Sequence, residues 1–112
     1  MDEVTNYRAI VEQVLGDYAA LLNSLKRATQ AELVFDREHD RYLLLNIGWR
    51  NTRRVHNVVL HLDIINGKIW IQEDHTEDGI AGALEDAGVT KSHIVLGFKS
   101  AFLRQFTEYA AA

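Results

Sequence analysis

The chain has 112 residues, 47% of them hydrophobic and 25% charged, which predicts one globular domain over residues 1–112 and excludes a disordered or fibrous chain. The sequence contains no cysteine, which excludes thiolate catalysis, cysteine-ligated zinc and a disulfide framework. The formal net charge of −4 is unevenly placed: Arg50, Arg53 and Arg54 cluster in one turn, whereas residues 73–86 carry six acids, so nucleic acid would be attracted to one end and repelled by the other.

The first predicted element is a long amphipathic helix. Apolar and aromatic residues recur at intervals of three and four from Val4 to Leu25. Additional apolar positions widen this stripe beyond the narrow seam of a coiled coil. The pattern therefore favours a helix that lies across a sheet.

Four strands are predicted next, because the apolar period changes to that of strands from Ala31 onward. They are "AELVFD", "RYLLLNIGW", "RVHNVVLHLDII" and "KIWIQED", separated by short turn-like stretches. Short connections make the predicted sheet an antiparallel meander.

The dipeptide Asn66-Gly67 predicts a type I′ hairpin turn, since both residues tolerate positive φ. Such a turn places Ile64 opposite Ile69, and Leu62 opposite Ile71, on an apolar face that the long helix covers. The opposite face is left for a partner or for solvent. Its predicted members are the pair Asp63 and Trp70, the pair His61 and Gln72, and Tyr42.

Two to three helices are predicted after the sheet, which gives the fold class α+β. Thr76 would cap a helix over residues 77–87, and Thr90 a helical turn in "KSHIVL". Ser100 would then precede "AFLRQFTEYA". The apolar residues of that last stretch, Phe102, Leu103, Phe106 and Tyr109, would form one helical face.

The stretch "DHTEDGIAGALE" comes close to a calcium loop, because Asp74, Asp78, Gly79 and Glu85 stand at its first, fifth, sixth and twelfth places. An EF-hand needs a helix before the loop, whereas "KIWIQED" alternates like a strand. We therefore interpret the stretch as a strand-to-helix joint and predict no metal.

His61 and Asp63 project from the same face of one strand and could form an acid-base pair or two metal ligands. His56 is five residues from His61, so a regular strand sends it to the opposite face, and no third ligand is evident. An unrecognised enzyme centred on His61, Asp63, Gln72 and Asp74 stays open as an alternative.

The cluster Arg50, Arg53 and Arg54 beside Trp49 is the second candidate site. Arginine supplies forked donors for phosphate, and an aromatic side chain can stack on a base. Three arginines in a hairpin turn are also typical of a protein-contacting surface. Direct nucleic-acid binding therefore stays an alternative to protein binding.

Three stretches, "GKIWIQ", "DHTEDGIA" and "IVLGF", are distinctive in combination. Through them the chain resembles the XisI family, which comprises the fdxN-element excision controlling factor of cyanobacteria and its relatives. The resemblance extends from Tyr7-Arg8 in the first helix to Tyr109-Ala110 near the end.

The resemblance implies an accessory factor that acts with a XisH-like protein, itself similar to restriction-type endonucleases. In the founding system both factors are needed for a separate site-specific recombinase to excise a DNA element during heterocyst development. The resemblance implies no catalytic residue and no cofactor, so we predict that the protein is not an enzyme.

We expect the XisH-like partner, and through it DNA and the recombinase, to be contacted by polar and aromatic positions near the sheet ends. We also expect a homodimer, because Trp49 and Trp70 offer more aromatic surface than a solvated face needs. No apolar run is long enough to span a bilayer, and the first residues lack the pattern of a signal peptide, so a cytoplasmic protein is expected. The predicted partner-binding residues are Trp49, Arg50, Arg53, Arg54, Gln72, Asp74 and Glu77.

Overall fold

The long N-terminal helix predicted from the apolar spacing is present in the structure, a computed structural model that describes residues 3–112. This helix, α1, runs from Glu3 to Ser24. Its buried side chains lie on one stripe that packs on the sheet, as expected for an amphipathic helix. They are Tyr7, Val11, Val14, Leu15 and Ala19.

Four antiparallel strands follow α1, and their order in the sheet is their order in the sequence. β1 spans Thr29–Asp36, β2 Arg41–Arg50, β3 Arg53–Ile65 and β4 Lys68–Asp74. The predicted meander is confirmed for these strands. The prediction of a four-stranded sheet is wrong, because a fifth strand, β5 at Ile94–Leu96, pairs parallel to β4 and makes the sheet mixed.

The segment "KSHIVL", predicted as a helical turn, divides into two structures. Only Lys91–His93 forms a single 3₁₀ turn, and the strand β5 begins directly after it. β-branched residues pack well in strands, and here Ile94 and Val95 are fully buried. The burial that β5 gains beside β4 therefore outweighs the local helical pattern.

The helices after the sheet are shorter than predicted. Helix α2 spans Ala81–Asp86 and begins four residues later than expected, because Thr76 bonds to Asp74 instead of capping a helix. Helix α3 spans only Ala101–Arg104; the hydroxyl of Ser100 caps it, as predicted, by accepting a hydrogen bond from the Leu103 N–H. The apolar side chains of this C-terminal stretch do not form one buried face: Phe102, Leu103 and Phe106 are exposed, whereas Tyr109 packs against the core.

The turn at Asn66-Gly67 has positive φ at both residues, and it sets the predicted register between β3 and β4. Leu62 lies opposite Ile71 and Ile64 opposite Ile69. All four of these side chains are buried under α1 and α2. The apolar face that was expected from the hairpin is therefore confirmed as the core.

Tyr42 does not belong to the exposed face on which the sequence placed it. It pairs with Leu62, so its side chain points to the same face as Leu62 and is completely buried. Its hydroxyl donates a hydrogen bond to Asp40. Burial and the neighbouring Asp40 carboxylate raise the pKa of Tyr42 to about 12. The amphipathic tyrosine fits the core because its polar end has a partner.

Asp40 joins the sheet to α1. It occupies the turn between β1 and β2 with a φ of 55°, and its carboxylate accepts two hydrogen bonds from the Arg8 guanidinium, at 2.7 and 3.0 Å. Its backbone carbonyl also accepts from the Ile64 N–H at 3.0 Å. The bonds from Arg8, followed by the bond from Tyr42, lower the pKa of Asp40 against the opposing effect of burial.

We expect Asp40→Asn to lower the free energy of unfolding by about 1–2 kcal/mol at pH 7, because it removes a charge-assisted pair whose carboxylate is only 14% exposed, while solvent screens the 41% exposed guanidinium. Because the pKa of Asp40 is lower in the folded state than the ordinary value of 3.8, the ionised carboxylate stabilises the fold at pH values above 3.8. This stabilisation is lost as the pH falls through the folded-state pKa. Urea unfolding at several pH values should therefore show the two proteins converging in acid. The matched control Glu38→Gln, in the same turn but exposed, should change little at any pH. A difference between wild type and Asp40→Asn that is equal at pH 7 and pH 2.5 would contradict this account.

Candidate functional site

The face of the sheet opposite α1 is the first candidate surface, and we call it the open face. Two β-bulges decide which side chains it carries. Val59 is an extra residue in β3 between the pairs Leu44–Leu60 and Leu45–Val58, and Gln72 is an extra residue in β4. A bulge shifts the alternation of the strand by one residue.

The bulges overturn two expectations about the histidines. His56 lies opposite Ile47 and His61 opposite Leu43, so both histidines share the open face and the predicted separation of the two is wrong. His61 also pairs with Glu73 instead of Gln72. The strand between the two histidines is not regular, because the bulge at Val59 adds a residue and so places two side chains at an odd interval on one face.

The open face carries a polar network around Asp63. The side chain of Asp63 is 8% exposed, and its carboxylate accepts hydrogen bonds from His61 Nε2 at 2.8 Å and from Gln72 Nε2 at 3.2 Å. The Arg41 guanidinium approaches it to 3.7 Å. His61, Asp63 and Gln72 are thus brought together, as the enzyme alternative requires. A buried carboxylate with several donors is also what a stable polar network needs.

Asp74 does not join that network. It lies opposite Leu60, whose side chain points to the core, and so its carboxylate turns into the loop before α2. One carboxylate oxygen accepts from the Thr76 N–H and hydroxyl, and the other accepts from the Ile80 N–H at 2.7 Å. The fourth member of the proposed catalytic group is therefore used to build a loop.

The same hydrogen bonds bear on the calcium-like pattern. Both oxygens of Asp74 are occupied by donors of the loop, and Glu85 bonds to Tyr109 at 2.8 Å and to Lys91 at 2.8 Å. The bonds from Lys91 and then Tyr109 lower the pKa of Glu85. Within residues 3–112, no group of three or more His, Asp or Glu side chains is arranged to hold a metal ion. The interpretation of the stretch as a strand-to-helix joint agrees with these contacts.

The hairpin between β2 and β3 is the second candidate surface, and we call Trp49, Arg50, Arg53 and Arg54 the hairpin tip. Trp49 lies opposite Arg54 and is 54% exposed, with the Arg54 guanidinium 5.2 Å from its ring centre. This is the distance of a cation–π contact. None of the three arginines pairs with a carboxylate in the part of the chain that the structure describes. The tip therefore presents three uncompensated positive charges beside an exposed aromatic ring.

The predicted partner-binding residues fall into separate places. Four form the hairpin tip; Gln72 lies on the open face, and Asp74 belongs to the loop before α2, whose residue Glu77 is exposed. Asp74 pairs with Leu60, which is six residues from Arg54 along β3, so the tip and the loop are about 20 Å apart. They are two ends of one surface rather than one compact site.

Trp70 is on the open face, as predicted, but it is not a free aromatic surface. The C-terminal segment folds over it, and the Arg104 guanidinium stacks 5.1 Å from its ring centre. A Cβ at Gly97 would lie 3.1 Å from the Ile71 carbonyl oxygen and 3.2 Å from the Trp70 ring, so glycine favours this close packing. The expectation of a free surface thus applies to Trp49 and not to Trp70.

A polar contact between α1 and the 3₁₀ turn was not predicted from the sequence. The buried Tyr7 hydroxyl lies 2.7 Å from His93 Nδ1 and donates a hydrogen bond to Glu3 at 2.7 Å. Burial and then the bond to Glu3 raise the pKa of Tyr7. No local pattern links residues 86 positions apart, so only the tertiary structure reveals this cluster. Its position at the start of α1 indicates a structural tie.

None of the described helices is both long enough and apolar enough to cross a membrane.

Comparison with known proteins gives a consistent result. A family model described as XisI protein matches residues 1–111. The structure is similar to the crystal structure of the fdxN element excision controlling factor XisI from Anabaena variabilis ATCC 29413, with 39% sequence identity, a TM-score of 0.86, and coverage of 99% of this chain and 100% of that chain. It is also similar to a XisI-like protein from the same organism, with 33% identity, a TM-score of 0.88 and the same coverage. No curated protein sequence matches the chain.

We expect millimolar calcium to leave the melting temperature unchanged, because the carboxylate of Asp74 is already engaged by the loop. Any ligand that binds only the folded state would raise it. Asp74→Ala should instead lower the free energy of unfolding by about 1–3 kcal/mol without added metal, since the Ile80 and Thr76 donors lose their acceptor. The matched control is Asp78→Ala, an exposed acid in the same loop. A calcium-dependent rise in melting temperature that Asp74→Ala abolishes would show that the loop binds metal.

Proposed function

The chain belongs to the XisI family, and from this premise we propose that it is a controlling factor that binds a XisH-like, nuclease-related protein and modulates the action of that protein on DNA. Excision of a DNA element, as the name of the Anabaena variabilis relative describes it, is one process in which such a factor would act. A factor of this kind works where the chromosome is, so the proposal includes a cytoplasmic location. It assigns no catalytic residue and no cofactor to the chain.

The observation that carries the proposal is the hairpin tip. Trp49 and Arg54 stack on one another at the end of a two-stranded ribbon, where neither side chain is needed to cover the core. Tryptophan and arginine are the residues that most often anchor protein interfaces. Because Arg50 and Arg53 flank this pair without a carboxylate partner in the described chain, a partner surface that carries acids would find complementary charge here.

Direct binding of nucleic acid is the second candidate, and the same arginines favour it. Three guanidinium groups beside an aromatic ring could hold phosphates and stack on a base. The net charge of −4 and the acidic stretch 73–86 act against it, because they reduce the attraction between DNA and the rest of the surface. This balance favours contact with DNA through a protein partner.

The enzyme alternative has less support. His61, Asp63 and Gln72 are bonded to one another, but the fourth residue of the group, Asp74, is held in the loop on the other side of the strand. Mutual hydrogen bonding accounts for the polar groups of the network without a substrate. The proposal therefore treats this network as part of the scaffold of the open face.

We also propose that two copies associate through the open face near Trp49. Val34, which pairs with Leu43 six residues along β2 from Trp49, is 45% exposed. The apolar side chains between Val34 and Trp49 are half-buried: Leu43, Leu45, Ile47 and Val58. An apolar patch on one side of an antiparallel sheet is suited to packing against the same patch of a second copy around a two-fold axis.

Co-expression with a XisH-like protein encoded beside this chain should give a stable complex. Trp49→Ala or Arg54→Glu should each weaken the complex by about 2 kcal/mol or more if the pair is central to the interface, measured by calorimetry. Glu38→Lys, an exposed charge reversal in the turn between β1 and β2 at the opposite end of β2 from the hairpin tip, serves as the matched control and should retain affinity. Circular dichroism should show an unchanged fold in all three variants.

Two outcomes would contradict the proposed role. One is the failure of the pair to co-purify at low salt. The other is tight, sequence-specific and salt-tolerant binding of DNA by the isolated protein, which would favour the nucleic-acid alternative; the proposal expects weak binding that falls steeply with salt concentration.

The isolated protein should form a dimer at tens of micromolar concentration, measured by light scattering. Val34→Lys should shift the equilibrium toward the monomer, because it places a charge in the apolar patch, while Glu32→Lys, on the same strand and face, tests for a purely electrostatic effect. A wild-type protein that stays monomeric at this concentration would rule out the proposed self-association.

A further inference from the structure

β3 is longer than the strand that pairs with it on one side. β4 pairs with β3 only from Leu60 to Ile65, and the chain after β4 adds one more contact, from the His75 N–H to the Val59 carbonyl at 2.9 Å. β3 continues beyond that point to Arg53 with β2 as its partner. Residues 53–58, which we call the open edge of β3, therefore have no strand on their other side among residues 3–112.

The backbone groups at this edge can be assigned from the hairpin geometry. The turn at Asn51-Thr52 has two residues, so Arg50 and Arg53 form a hydrogen-bonded pair. In an antiparallel ladder such pairs alternate with pairs that do not bond to each other. The N–H and C=O groups of Arg54 and His56 therefore point away from β2, toward the position where β4 would continue.

At the outer edge of β1, a side chain bonds to the outward backbone groups of Ala31. There the Asn23 side chain accepts a hydrogen bond from the Ala31 N–H at 2.8 Å and donates one to the Ala31 carbonyl at 3.0 Å. The side-chain amide thus takes the place of a neighbouring strand. No side chain in the described part of the protein does this for Arg54 or His56.

Two shallow depressions lie along the open edge. The first, of about 320 Å³, is lined by the three arginines together with Val55, His56 and Asn57. The second, of about 390 Å³, lies next to it toward β4 and is lined by the apolar Leu45 and Val58 together with Glu73 and His75. The acidic half of an added segment is therefore expected beside the first depression. A strand added at this edge would place its side chains in or above these depressions.

We propose that the open edge of β3 binds an extended, acidic segment of a protein partner, which adds to the sheet as a strand. Main-chain hydrogen bonds to Arg54 and His56 would hold the segment, as in other cases where a peptide extends a sheet. Acidic side chains would lie near Arg53 and Arg54, and an apolar side chain would lie over Val58. A nucleic acid would match the charge but not the ladder of N–H and C=O groups.

The charges at the edge decide between an acidic partner and a second copy of the chain. Charged residues on an unpaired strand oppose edge-to-edge pairing with another copy, because like charges are brought together without compensation. An acidic segment meets the opposite situation, since each of its carboxylates can accept forked hydrogen bonds from an arginine. The edge therefore selects a partner of opposite charge, and self-association is left to the open face.

This inference rests in part on the proposed function, because it specifies how the partner would be held, and its test includes a probe that needs no partner. The probe is a capped synthetic peptide of about eight residues, with glutamates in the half that would lie beside Arg53 and Arg54 and valine in the half that would lie over Val58. Its binding to the ¹⁵N-labelled full chain would be followed by NMR. We expect shifted and exchange-protected amides at Arg54 and His56, with a dissociation constant below about 1 mM.

Three controls isolate the mode of binding. A peptide N-methylated at alternate residues should bind at least tenfold more weakly, because it lacks N–H groups that the main-chain ladder to β3 needs. This control changes only the peptide, so it cannot disturb the fold of the protein. A lysine-for-glutamate peptide should also bind at least tenfold more weakly. His56→Pro should abolish binding by removing an outward N–H, a position at which an edge strand tolerates proline, whereas His56→Ala should bind normally.

The outcomes are distinguishable. Absence of binding by the glutamate peptide at millimolar concentration, or equal binding by its N-methylated form, would overturn the inference. A wild-type dimer that His56→Pro dissociates would assign the edge to a second copy and overturn the acidic partner. A XisH-like complex that forms equally with His56→Pro would also reject the edge as the docking site, yet would leave the proposed function standing. If the wild-type protein binds the peptide as expected but forms no complex with the XisH-like protein, the proposed function is rejected and the inference about the edge stands.

Discussion

The register of β3 is the constraint on which the rest of the molecule depends. β3 is the central strand, and two-residue turns at its ends, Asn51-Thr52 and Asn66-Gly67, fix its pairing with β2 and β4. A shift of one residue would move Leu60 and Leu62 from beneath α1 to the open face, which would cost the burial of both side chains. β2 is one residue shorter over the paired region, so the bulge at Val59 is required if both turns are to keep this register.

The parts of the fold that could be predicted from sequence are those fixed by local chemistry. The periodicity of α1, the turn at Asn66-Gly67 and the cap at Ser100 each depend on residues close together in the chain. The bulges, the burial of Tyr42 and the parallel pairing of β5 depend on how distant segments meet. For the candidate site, the Arg and Trp cluster was visible as a composition feature, but the grouping of His56 with His61 and the open edge of β3 required the strand pairing.

Several of the stretches through which the chain resembles its family have a structural explanation. In "DHTEDGIA", Asp74 orders the loop that leads to α2 through its two carboxylate oxygens. In "IVLGF", Ile94 and Val95 fill the core, and Gly97 permits the C-terminal segment to lie against Gln72 and Trp70. These residues would be required whatever the protein binds. Trp49 and Arg54 are different, because the core does not need them, and they therefore indicate a surface for a partner.

The edges of the sheet explain how such a surface can remain accessible without promoting aggregation. Asn23 occupies the outer backbone groups of Ala31 in β1, and the N–H of Ala110, near the C-terminus, bonds to the Ile94 carbonyl of β5 at 2.9 Å. The chain itself therefore covers part of each of those edges. The edge of β3 is protected by charge instead, and charge repels only partners of the same sign. Arginines along an unpaired edge thus oppose its pairing with the same edge of a second copy, and they leave the edge accessible to an acidic segment. The same residues therefore provide both solubility and selectivity.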